Sequence, residues 1–235
     1  MTVSSSVNTR LWAGIAAVVA LLAATVVYIR LGSGAPPDDS RIALRLAAGE
    51  TLQVSFLGDS LDHGLSATAQ ELGFRPLVTA AWGRGGPVEE HKANRIGGTV
   101  GEALLGPEFP AGQHLYIVEL GTNDTPLVDL RTFRDRYREL LDRIVAASPG
   151  TALLCLGLWR PIETARSFDT VIADLCGAKG GAFRPLFELA ADPRLRGPAG
   201  LPTFSGTSDD FHPNDLGHRS IADLVLDSVT VTRGR

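Results

Sequence analysis

The chain has 235 residues, 22 Lys and Arg against 26 Asp and Glu, and a formal net charge of −4, with 44% hydrophobic and 20% charged residues. This balance excludes a disordered chain, a collagen-like chain and a disulfide-dense miniprotein. The mild acidity excludes a nucleic-acid-coating protein, which needs a basic stripe, so no nucleic-acid partner is expected.

The N-terminus carries the first feature. Leu11 to Ile29 (LWAGIAAVVALLAATVVYI) holds no charge and is bounded by Arg10 and Arg30. A spanning helix needs roughly 20 apolar residues, and Trp12 and Tyr28 sit near its ends, where amphipathic rings favour the interface. A cleaved secretory signal is the alternative, but its apolar region runs only roughly 7–15 residues. The expected organisation is a tail over 1–10, a transmembrane anchor or signal segment over 11–30, a linker with a short helix over 31–50 and a folded domain over 51–235. That makes a single-pass membrane protein with its domain on the extracytoplasmic side, although Arg30, Arg41 and Arg45 after the span keep the positive-inside rule from fixing this orientation.

Beyond the linker GSGAPPDD, Ser40 to Ala48 reads as a short helix capped by Asp39 or Ser40. Leu52 to Leu57 reads as a strand, Leu65 to Leu72 as a helix stopped by Gly73, and Pro76 to Ala81 as a second strand. Glu89 to Leu105 is helical in part, weakened by Gly97, Gly98 and Gly101. Leu115 to Leu120 (LYIVEL) and Ala152 to Leu158 (ALLCLGL) are buried-strand runs. Between them Phe133, Tyr137, Leu140, Leu141, Ile144 and Val145 follow helical spacing until Ser148-Pro149-Gly150. Phe168 to Cys176 is helical, Gly181 to Phe187 is a fifth strand, and Leu216 to Val229 is the closing helix. Such alternation implies an α/β fold: a mainly parallel five-stranded sheet in a three-layer α/β/α arrangement, with its site at the C-terminal ends of the strands. Cys155 and Cys176 are either two buried thiols or one bridge.

The residues after the strands form one set. Gly58-Asp59-Ser60-Leu61 follows the first strand, where a serine hydroxyl and the next backbone N–H groups face developing negative charge. Ala81-Trp82-Gly83-Arg84-Gly85-Gly86 follows the second, and glycine there lets an N–H approach a ligand. Gly121-Thr122-Asn123-Asp124 follows the third and supplies a neutral amide donor. Near the end, Asp209 and His212 are three apart, a spacing at which a carboxylate can fix an imidazole tautomer and free the other nitrogen to take a proton. Asp210 is the nearest rival to Asp209, but lies only two residues from the histidine.

In these blocks the chain resembles the SGNH/GDSL hydrolases: GDSL at 58–61 resembles the nucleophile block, Gly83 the oxyanion glycine, GTND at 121–124 the Asn block and Asp209-x-x-His212 the closing block. Ala81 stands where family members often carry Asn, so Gly85 and Gly86 stay open beside Gly83. The resemblance implies an esterase in which Ser60 attacks, His212 moves the proton and Asp209 orients it, while Ser60, Gly83 and Asn123 hold the oxyanion. It implies no metal or organic cofactor; among the five histidines none pairs with cysteine at zinc spacing. Trp82, Trp159 and Phe211 are candidates for lining a substrate pocket; His63, His91, His114 and His218 are rim, surface or structural residues, and Asp59 and Asp124 hold loops. The implied substrates are ester-bearing small molecules, lipids or acylated glycans, with a small acyl group favoured because the short segments between blocks leave no lid. The alternatives are acyl transfer to a glycan or other alcohol at the same site, and a non-catalytic glycan-binding module.

Overall fold

The computed structural model describes residues 41–234. The expected tail, the anchor over 11–30 and the first half of the linker lie outside the described residues. Among the described residues no helix is long and apolar enough to cross a membrane.

The centre is a parallel sheet of β2 (Leu52–Gly58), β3 (Val88–Asn94), β4 (Leu115–Glu119), β5 (Ala152–Leu156) and β6 (Ala182–Arg184), in the order β3-β2-β4-β5-β6. Period-two alternation splits its side chains between two cores. Val54, Phe56, Leu115, Ile117, Leu154 and Leu156 face one core; Leu57, Tyr116, Val118, Leu153 and Cys155 face the other. A short helix, α1 (Ser60–His63), directly follows β2. The first core is closed by α2 (Phe74–Gly83), α6 (Phe187–Ala191) and α7 (Asp215–Ser228), the second by α3 (Val100–Leu105), α4 (Leu130–Ala147) and α5 (Ile162–Ala178). This is the three-layer arrangement the alternation implied. Before α7, β7 (Pro202–Thr203) and β8 (Gly206–Thr207) make a small antiparallel hairpin. On α4 the buried Phe133, Tyr137, Leu140, Leu141 and Ile144 form one stripe, and the Asp129 carboxylate caps the helix by accepting from the Thr132 N–H at 2.8 Å. Cys155 on β5 and Cys176 on α5 form a disulfide, resolving the two options left by the sequence.

Four elements differ from expectation. The helix expected over Ser40 to Ala48 is instead β1 (Ile42–Leu46), paired in parallel with β9 (Val229–Arg233). Its Ile42, Leu44 and Leu46 point inward while Ala43 and Arg45 are exposed, a strand period. The helix expected over Leu65 to Leu72 shrinks to a 3-10 turn at Gln70–Leu72. The strand expected over Pro76 to Ala81 lies inside α2, where Phe74, Val78 and Trp82 are buried at four-residue spacing and Pro76 sits in the tolerant first turn. The strand that follows β2 is Val88–Asn94, which among the described residues is an edge strand paired with β2 alone, and it is accordingly polar (VEEHKAN). After it Thr99 and Glu102 form a capping box that starts α3.

Candidate active site

Ser60 opens α1 at the C-terminal end of β2. Its Oγ lies 2.9 Å from His212 Nε2, across 152 residues of sequence, and His212 Nδ1 lies 2.6 Å from Asp209 Oδ2. Asp209 Oδ1 accepts from the N–H groups of Phe211 (2.9 Å) and His212 (2.7 Å), which locks the loop before α7. Burial pushes the Asp209 carboxyl up, but those bonds and the imidazole outweigh it and hold the group below its ordinary value. The anion fixes the proton on Nδ1, so Nε2 accepts from the serine hydroxyl. Asp210 is engaged elsewhere, accepting from the Ala199 N–H at 2.9 Å.

Asp59 organises the other side. Its buried carboxylate accepts from the Leu61 N–H (3.0 Å), lies 3.3 Å from Ser60 Oγ and accepts from the Asn123 amide at 2.7 Å. The same Asn123 nitrogen donates to the Gly98 carbonyl at 3.1 Å. Asp124 Oδ2 takes the Val100 N–H at 3.1 Å, tying the 121–124 turn to α3. Beneath Ser60 three carboxyls are buried: Asp59, Asp62 and Glu119. Burial raises Asp59 to about 6 and Asp62 to about 7, the latter against the opposing charge of Arg75, and raises Glu119 well above the usual range.

Gly58 makes room for this cluster. A Cβ there would collide with Asp62 Cβ and stand 3.0 Å from Glu119 Oε2. Gly58→Ala is therefore expected to destabilise the fold by about 1–3 kcal/mol and to weaken activity; chemical denaturation checks the first, and an unchanged midpoint would contradict it.

Two expected site residues, Gly83 and Trp82, lie elsewhere. Gly83 ends α2 at the opposite edge of the sheet, shortly before Pro87, whose carbonyl accepts from the N–H of Leu52, the first residue of β2. The displacement follows from taking part of α2 for the second strand. Gly85 lies in the same connection, and Gly86 packs against Arg233, so neither alternative reaches the site. The turn that does follow the second strand contains Gly97 and Gly98; Gly98 meets Asn123 through its carbonyl, while its N–H donates to Arg95 O at 2.8 Å. Its signal was the Gly97-Gly98-Thr99 punctuation before a helix. Trp82 packs into the core from α2, and the hollow it borders is lined by Leu226, Val229 and Val231 rather than by Ser60 or His212. Trp159 is also buried, and its indole N–H donates to the Phe211 carbonyl at 2.8 Å, supporting the histidine loop from below. Phe211 does border the site, edge-on to His212 with 5.0 Å between ring centroids and with the Arg160 guanidinium 4.8 Å from its own centroid.

His218 on α7 is fully buried, with Nδ1 accepting from the Phe74 N–H at 3.4 Å and Nε2 donating to the Leu65 carbonyl at 3.0 Å. Burial lowers it from 6.5 to about 4. Its folded value lies below the unfolded one, so its stabilising share is present above 6.5 and lost as the pH falls toward 4. The full loss amounts to about 3 kcal/mol. Because Asp59, Asp62 and Asp169 shift the opposite way, the check compares wild type with His218→Gln: the stability difference between them should shrink on acidification from neutral pH, and a constant difference would contradict the assignment.

Residues 56–220 match the model of the GDSL-like lipase/acylhydrolase family, and the chain belongs to that family. It is an ester hydrolase of this SGNH/GDSL kind. No curated protein matches. Solved structures share its fold. The psychrotrophic esterase EstA from Pseudoalteromonas sp. is 19% identical over 75% of this chain and 96% of its own, with a TM-score of 0.57. Phospholipase A1 from Streptomyces albidoflavus NA297 is 17% identical over 77% and 99%, with a TM-score of 0.58. A two-domain esterase active on acetylated mannans is 22% identical over 76% of this chain but only 50% of its own, with a TM-score of 0.57.

Proposed function

We propose that the protein hydrolyses carboxylic esters through a Ser60–His212–Asp209 triad and an acyl-enzyme. The observation that carries this is the unbroken line from Ser60 Oγ to His212 Nε2 (2.9 Å) and from His212 Nδ1 to Asp209 (2.6 Å). Ser60 gives its proton to Nε2 as its oxygen bonds to the ester carbonyl carbon. The carbonyl π pair moves onto the oxygen, which the Ser60 N–H, one of the open donors of the first turn of α1, and the Asn123 amide receive. Asn123 can turn one N–H toward it by releasing the longer bond to Gly98 O. His212 then passes the proton to the departing alkoxide, leaving acyl-Ser60. Water repeats the sequence, and the carboxylic acid leaves with the serine restored.

For the acyl part, a groove of about 810 Å³ runs between β3 and α3, walled by Leu57, Ala93, Ala103, Phe109 and Tyr116 and reaching Gly98 and Thr99 beside the site. It gives an acyl group more room than the short inter-block segments suggested, so substrates beyond acetate are included in the proposal. We also place the domain outside the cytoplasm, held by an anchor over 11–30; the uncharged run there and the Cys155–Cys176 disulfide support this. The test is a chain-length series of p-nitrophenyl esters together with acetylated glycans, with Ser60→Ala as the blank. Turnover above the blank on at least one ester is expected; none on any member would overturn the proposal.

A further inference from the structure

Glu119 is the charged residue that ends an otherwise apolar strand, paired with Gly58 across β2 and β4 and 1% exposed. Its Oε2 accepts the Asp59 N–H at 3.2 Å, and its Oε1 is buried without a hydrogen-bonding partner among the described residues. Asp59 beside it accepts the Leu61 N–H on one carboxylate oxygen and the Asn123 amide on the other. Accepting on both oxygens favours the ionised carboxylate, whose charge strengthens both bonds. Two adjacent carboxyls in a dry site do not both ionise.

We propose that Glu119 is a positioning residue of the nucleophile turn and works as a neutral acid, keeping the proton so that the negative charge stays on Asp59, where it fixes Asn123 and the first turn of α1. The assignment rests on the serine-hydrolase proposal above. The ionisable groups around Glu119 agree with it. Asp59 and Asp62 face it from the nucleophile turn and α1, and both disfavour a second charge. Tyr137 approaches from α4 with a hydroxyl that has no partner among the described residues, and Asp124 and Asp169 act on that phenol from the loop after β4 and from α5. The buried cation of this region, Arg75 on α2, is engaged by Asp62 and Glu90. Burial and the Asp59 charge both hold the Glu119 proton in place.

Glutamine keeps the shape of the neutral acid and the oxygen that accepts the Asp59 N–H; alanine keeps neither. The test is the pH profile of kcat for wild type, Glu119→Gln and Glu119→Ala, with infrared spectra at neutral pH. Glu119→Gln is expected to keep kcat near the wild-type value and to lose the alkaline fall that ionisation of Glu119 imposes on the wild type. Glu119→Ala is expected to lower kcat by about 10²-fold with KM little moved. The protonated-carboxyl stretch of the wild type should lose one component in Glu119→Gln, a readout that needs no turnover. An alkaline limb identical in wild type and Glu119→Gln, or an unchanged carboxyl band, overturns the proposal. Fluorophosphonate labelling of Ser60 in the same samples reports on the serine nucleophile separately.

Discussion

Replacing Ser60 by alanine is expected to lower kcat by at least about 10⁴-fold, and replacing His212 by alanine to do nearly the same. The two side chains form one hydrogen-bonded unit, Oγ to Nε2 at 2.9 Å, so either one alone leaves no activated nucleophile. The double variant should therefore be scarcely worse than either single one. Multiplying losses would mean that the two residues act independently, which the geometry does not allow. Asp209→Ala should be milder than either, because it removes the group that orients the base rather than the base itself. Steady-state kinetics on one chromogenic ester measures all four variants, and wild-type-like stability in each keeps the comparison on chemistry.

The second large effect belongs to Asn123. Asn123→Ala is expected to lower kcat by about 10²–10³-fold, the cost of one oxyanion donor, with KM little changed. The loss has two physical parts. The donor to the developing oxyanion disappears, and Asp59 loses the partner 2.7 Å from its Oδ2. Asn123→Asp should be at least as damaging, since it sets a second carboxylate against Asp59 in a buried site. A defect confined to KM would instead place Asn123 in substrate binding.

The legible parts of the site were those where a chemically specific block follows an apolar strand. Leu52 to Leu57 and Leu115 to Leu120 announced their strands, and so Ser60 and Asn123 were placed at the correct edge of the sheet. Asp209 and His212 were legible because three-residue spacing lets one carboxylate take both a backbone N–H and the ring. The glycine block was not, for a reason rooted in β3. An edge strand has a single partner strand and half its surface in water, so VEEHKAN carries no apolar run. The nearby apolar residues of α2 imitate that strand and point to Gly83, where the structure has Gly98 meeting the site. Trp82 and Trp159 were misplaced because an aromatic near a supposed strand end fits a core as well as a pocket, and only the tertiary packing decides. The disulfide joins residues 21 apart in sequence on a strand and a helix, and that pairing depends on how α5 lies against the sheet. Glu119 did have a signal: a charge at the end of LYIVEL, where burial demands a reason.

The most direct measurement of the central claim is the site of covalent capture. A fluorophosphonate incubated with the protein and mapped by peptide mass spectrometry should leave its adduct on Ser60, none in Ser60→Ala, and a slowed adduct in His212→Ala. An adduct on another residue, or equal labelling of wild type and Ser60→Ala, would contradict the account.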